Sequence, residues 1–162
     1  ILAGMLVAGA GGSLHARRFG QNLKLWIVTG CLGSAVMLAG LSLAASSGPS
    51  WPLRANVFGL GIANGVFAVA AVSAMLGLAS KGTASGEGAR MGVWGGSQAI
   101  AFGLGGLSGA IIVDQLRALT GQDAAAFQIV FGVEALLFIV AALVATGTSM
   151  TSRKSSREAA ET

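Results

Sequence analysis

Few side chains in this sequence could do chemistry. Asn64, Gln98 and Glu134 each lie inside a long apolar run, and Asp114 and Arg117 stand three apart where one run ends. A polar group left unpaired in hydrocarbon is expensive, so intramembrane polar residues are the first functional candidates. Glu134 could carry a coupling proton; alternatively, near an interface, its carboxyl is protonated or bonded to a neighbour. Asp114 and Arg117, one helical turn apart, are expected to pair. Asp114 with Glu134 is the candidate polar or proton pathway. Gln98 and Asn64 offer neutral oxygen donors, which can bridge helices, bind a substrate or ligate a hard cation such as ring-bound magnesium.

Familiar catalytic sets are missing from the sequence. His15 is the only histidine and sits among basic residues, where it is expected to face headgroups; Cys31 is the only cysteine and has no base beside it. No phosphate-binding glycine loop with its lysine occurs, and no carboxylate cluster could hold a metal. The expectation is a protein that is not an enzyme and holds no tightly bound cofactor.

The elements that position these residues follow from composition. The 162 residues are 54% hydrophobic and 10% charged, with a mean hydropathy of +0.76. Soluble domains are about 25% charged, so the apolar surplus must face lipid. Crossing a core of about 30 Å takes about 20 helical residues. Residues 25–46, 55–79, 91–113 and 127–147 are long enough. Residues 1–14 form a shorter apolar run, expected to be a truncated transmembrane helix of a longer parent chain whose N-terminal helices are missing. The fold class expected is all-α, a polytopic membrane bundle.

Lysine and arginine are retained on the cytoplasmic face, and their positions orient the spans. Arg17, Arg18 and Lys24 fall in the loop 15–24, Lys81 and Arg90 in the loop 80–90, and Arg153, Lys154 and Arg157 in the tail; only Arg54 and Arg117 fall on the other side. Both loops and the C-terminus are therefore expected in the cytoplasm, with residues 148–162 a disordered tail. The net charge of +4 reads as a topology signal, and no nucleic-acid partner is expected.

Glycine is abundant, with 26 residues against 2 prolines. Gly61 and Gly65, Gly92 and Gly96, and Gly105 and Gly109 are each four apart, which places each pair on one helical face and lets a neighbouring backbone approach. Gly103, Gly106 and Ala110 widen the small surface of the fourth span, which is expected to make close helix contacts. Smooth faces could also slide during alternating access or accept a flat ligand. Pro49, Trp51 and Pro52 mark a short external turn.

Two stretches carry a family resemblance. The segment from Ser13 to Gly20, followed by Lys24, resembles a degraded form of the basic cytoplasmic loop of the major facilitator superfamily; Arg18 and Gly20 match, whereas Ser13 and Arg17 replace a glycine and an aspartate. The segment from Gly88 to Gly106, followed by Asp114 and then Val130 to Phe138, is similar to the PucC-type branch of that superfamily, the bacteriochlorophyll-delivery proteins. Its Gly-x-Trp-Gly-x-x-Gln-Ala signature is matched by Gly92, Trp94, Gly95, Gln98 and Ala99. The run from Gly59 to Phe67 looks like the preceding glycine-rich helix, interrupted by Ala63 and Asn64.

The resemblance implies the last five helices of a twelve-helix major-facilitator fold. It also implies a multi-pass protein of the cytoplasmic membrane that assembles light-harvesting complexes by handling bacteriochlorophyll as cargo for antenna polypeptides. On that expectation Trp94, Gln98, Asn64 and Phe102 are the candidate pigment contacts, and Gly92, Gly95, Gly105 and Gly109 the signature packing positions. The alternative is a small-solute transporter of the same fold, working by alternating access with Glu134 or Asp114 near its pathway.

Overall fold

The computed structural model describes residues 2–14, 23–47, 50–79 and 84–158. They form five helices: α1 (Leu2–Leu14), α2 (Leu23–Ser47), α3 (Leu53–Ala79), α4 (Ala84–Thr120) and α5 (Asp123–Glu158). Helices α2 to α5 each contain a stretch long and apolar enough to cross a membrane. Their apolar residues are spread around the whole circumference. That pattern belongs to a helix whose outer face meets lipid and whose inner face meets other helices. Leu25, Val36, Val93, Phe102, Leu136 and Leu143 are accordingly among the large apolar side chains that stay exposed.

Helix α2 is the centre of the bundle, with α3 along one side and α5 along the other; α1 lies on α3, and α4 packs on α5 and lightly on α3. The pairings show direction. Ser42 Oγ donates to the Gln128 carbonyl (2.8 Å) near one end of α2, and Lys24 Nζ donates to the Thr146 carbonyl (2.9 Å) near the other, so α2 and α5 are antiparallel. Gly4 lies against Phe58 and Ile62, and Gly65 against Ala8 and Met5, so α1 and α3 run parallel. Chain direction alternates from span to span. The core is thin: Leu38, Leu41, Leu60 and Ala135 form its buried cluster, flanked by Met37, Val57, Phe131 and Phe138.

Glycine does bring backbones together, but chiefly in α1, α2 and α3. A Cβ on Gly30 would stand 2.8 Å from the Phe67 amide nitrogen, and one on Gly65 would stand 2.9 Å from the Met5 Cα. Gly65 thus does what its spacing predicts. The fourth span differs from expectation: a Cβ on Gly92, Gly95, Gly96, Gly103, Gly105, Gly106 or Gly109 would meet nothing within 4 Å. Among the described residues no other helix comes close enough to press on those positions. Among the described residues, then, these glycines make no close contact.

Boundaries moved where polar residues continue a helix that hydropathy alone would end. Residues from Ala84 are already helical, inside the expected loop 80–90. Glu87 lies in the first turn of α4 and Arg117 in its last; each complements the helix dipole there. Helix α5 runs on to Glu158, through most of the stretch expected to be a disordered tail, and no glycine or proline follows Gly147 to stop it. His15, Arg17, Arg18, Gly20 and Lys81 lie outside the described residues.

Candidate functional site

The α4–α5 hairpin is built around one turn. Gly121 has φ +66°, the left-handed conformation that costs other residues about 1–2 kcal/mol. Its amide donates to the Arg117 carbonyl at 2.9 Å, closing the end of α4 as a left-handed helix cap. Thr120 Oγ1 donates to the Leu116 carbonyl at 2.7 Å. This turn sets Arg117 over the Phe127 ring, 5.1 Å from its centroid. Arg117 reaches Asp114 at 3.5 Å, the pairing its spacing predicts, and also Asp123 at 2.9 Å. The Asp123 contact is an ion pair at a skewed angle, which leaves the buried Arg117 Nε without a well-directed hydrogen bond.

Inward from this latch, α4 and α5 part to leave a cleft of about 390 Å³. Gly105, Gly106 and Gly109 form one wall, Val130 and Phe131 the other; Asp114 and Arg117 stand toward the latched end, and Glu134 also lines it. The structure thus brings the expected polar pair, Glu134 and Asp114, to the same cleft as the expected glycine pair, Gly105 and Gly109. The Glu134 side chain is exposed and makes no hydrogen bond or ion pair among the described residues.

A second cleft, of about 540 Å³, opens where α3 and α4 meet. It is lined by Met75, Arg90, Val93, Trp94 and Ser97. Trp94 and Gln98 are half-buried, and Phe102 is 72% exposed. Steps of four and seven residues keep a single helical face, so Trp94, Gln98, Phe102, Gly105 and Gly109 form one stripe down α4. From Trp94 to Gly109 the stripe is about 22 Å long at 1.5 Å per residue.

Asn64 does not join this stripe. Its Oδ1 accepts a hydrogen bond from Ser34 Oγ at 2.8 Å, and Ser34 is fully buried, so the pair bridges α2 and α3. Of the roles open to Asn64, helix bridging is the one its geometry serves. Ser34 itself escaped the sequence analysis, although Gly30 and Ser34, four apart, form a small-residue face of the same kind as those that were singled out. A comparable bridge holds the other end: with its amide turned to suit both neighbours, Asn56 donates to the Met37 carbonyl (2.9 Å) and accepts from Trp51 Nε1 (3.2 Å). Among the described residues no three His, Cys, Asp or Glu side chains are grouped to hold a metal ion.

Comparison with known proteins adds identity to this geometry. One curated relative, "Bacteriochlorophyll synthase 44.5 kDa chain" of Rhodobacter capsulatus, is 50% identical over 147 residues. The match takes in 91% of this chain and 33% of the relative, so the chain spans about a third of that protein's length. No solved structure matches. The family described as "PUCC protein" matches residues 1–153. With nearly every residue of all five helices inside that match, the chain belongs to the PUCC protein family.

Proposed function

We propose that the protein containing this chain is an assembly factor for bacterial light-harvesting complexes, which handles bacteriochlorophyll and presents it to antenna polypeptides within the cytoplasmic membrane. The observation that carries this reading is the family match over residues 1–153, together with a half-identical relative whose name attaches it to bacteriochlorophyll. The word synthase belongs to that relative's name. For this chain we propose carriage of the pigment rather than its synthesis, a reading supported by the long apolar spans that make up most of it.

The stripe on α4 supports the reading. Trp94 and Phe102 offer aromatic faces, Gln98 an amide, and Gly105 and Gly109 a surface without side chains, against which a flat apolar pigment could lie. In the same reading, helices from the rest of the longer protein pack along the other open glycines of α4, such as Gly92 and Gly95. The distribution of lysine and arginine supports assigning the cytoplasmic side to the end of the bundle where Lys24 meets Thr146, with the C-terminus in the cytoplasm in this reading. Small-solute transport in a major-facilitator fold is the second reading, favoured by the convergence of Glu134 and Asp114 on one cleft.

Deletion in a phototrophic host decides between them. Loss of antenna absorbance with growth otherwise intact is expected. Normal antenna absorbance in the deletion strain would refute the light-harvesting role, and a defect in uptake of a solute with normal pigmentation would favour the transporter. Purification under mild extraction from pigmented membranes should recover bound bacteriochlorophyll; a colourless protein would point to a scaffold that holds antenna subunits without touching their pigment.

A further inference from the structure

We propose that the part of α5 beyond its membrane span, residues 148–158, is a basic arm that hinges at Gly147 and binds anionic phospholipid headgroups at the Lys24 end of the bundle. The inference rests on the membrane setting of the four long spans and is independent of any pigment.

Span and arm are one helix with a seam between them. Helix α5 runs unbroken from Asp123 to Glu158, but its apolar stretch ends at Gly147. The last turn before that glycine is finished as the end of a helix would be. Lys24 Nζ, reaching across from α2, donates to the Thr146 carbonyl at 2.9 Å, and Thr146 Oγ1 donates to the Leu143 carbonyl at 2.7 Å. Basic side chains bond the terminal carbonyls of helices in this way, and glycine commonly follows them. A side chain bonded into the carbonyl ladder, next to a residue that has no side chain of its own, marks the place where a continuous helix bends most easily.

Charge names the occupant. Residues 148–158 include Arg153, Lys154 and Arg157 against the single carboxylate of Glu158. Positions 153 and 154 each lie about one turn before 157, so the three border one side of the helix. Basic positions just outside a span are drawn to anionic lipid, and the attraction fades within a Debye length of about 8 Å. The headgroup layer is about 5–8 Å deep. At about 1.5 Å per residue, a straight arm carries position 157 about 15 Å past Gly147, outside that layer. Bent at Gly147, the same arm lies along the layer and brings all three charges to the phosphates. Of the anions that could answer this charge, headgroups are the ones that a place at the end of a span guarantees.

The test places the full-length protein in vesicles of phosphatidylcholine, alone or with added phosphatidylglycerol, and reads the quenching of a dye on Ser155→Cys by a lipid spin-labelled at its headgroup. Quenching about twofold stronger or more is expected in the anionic vesicles. High salt should abolish the difference, and so should Arg153→Gln, Lys154→Gln and Arg157→Gln together, in a variant whose thermal unfolding midpoint is unchanged. Arg153→Lys with Arg157→Lys should retain it, because the headgroup field reads charge and not shape. Gly147→Ala keeps every charge but favours the straight helix, and should weaken the quenching about twofold. Equal quenching in the two kinds of vesicle, or a difference that survives loss of all three charges, would overturn the lipid site. Equal quenching combined with shielding of the arm in native membranes would overturn it in favour of an acidic protein partner. Undiminished quenching in Gly147→Ala would overturn the hinge.

Discussion

Gly30→Ala isolates the role of close backbone approach in this bundle. The new methyl carbon would stand 2.8 Å from the Phe67 nitrogen and 2.9 Å from its Cα and Cβ. Carbon contacts are relaxed near 3.5–4.0 Å, so α2 and α3 must separate by about 0.7 Å. The neighbours are mostly backbone and cannot turn aside. Separation also stretches the adjoining bridge from Ser34 to Asn64, which is 2.8 Å long. Overpacking of this kind costs about 1–3 kcal/mol, against which the better helix propensity of alanine returns about 1 kcal/mol or less. The control is Gly147→Ala, at the end of the last apolar stretch, where the added carbon meets nothing within 4 Å and only the propensity gain remains.

Cys31 provides the assay, because it neighbours Gly30 and is only 2% exposed. Its modification by a maleimide dye on heating, followed on the Cys31 peptide of the detergent-solubilised full-length protein, reports opening of the bundle around α2. Unfolding entropy scales with length, so for a protein about three times as long as this chain the shift is about 1 °C per kcal/mol, and Gly30→Ala should lower the labelling midpoint by about 1–2 °C. Gly147→Ala should leave it unchanged or raise it slightly. Identical midpoints for the two variants would refute the claim that glycine in α2 is required by contact with α3.

Three other perturbations test neighbouring parts of the reasoning. Ser34→Ala leaves Asn64 Oδ1 without its partner inside the bundle and should cost about 1 kcal/mol, seen as a lower midpoint in the same dye assay; Ser46→Ala, at an exposed hydroxyl that bonds only within its own helix, should not move it. Gly121→Ala forces a side chain into a φ of +66° and should cost about 1 kcal/mol or more, with faster proteolysis at the α4–α5 turn as its measure. Cysteine placed at Ser50 should react with an impermeant thiol reagent from outside intact cells, and cysteine at Ser152 only after lysis. The reverse pattern would invert the proposed topology.

How much of this was legible in advance depended on the range of the interaction concerned. The four long spans could be read from hydropathy because each helix satisfies its own backbone and needs only about 20 apolar residues to face lipid. The Asp114–Arg117 pair was legible for a similar reason, since both partners lie on one turn of one helix. Arg117 also reaches Asp123 and Phe127, and neither contact could be foreseen, because both depend on how sharply Gly121 reverses the chain. The glycines were the least transparent. Gly65 and Gly105 look alike in sequence, yet one is pressed against Met5 and Ala8 and the other borders open space.

By itself, then, the sequence determined the membrane setting, the number of long spans and the family signature on α4, all of which follow from composition and from spacing within single helices. Tertiary structure alone decided which polar residues are committed and which are left open. It joined Asn64 to Ser34 across α2 and α3 and gathered Glu134, Asp114, Gly105 and Gly109 around one cleft. The physical reason is that a helix specifies its own faces, whereas the choice of face to cover belongs to the pair of helices that meet.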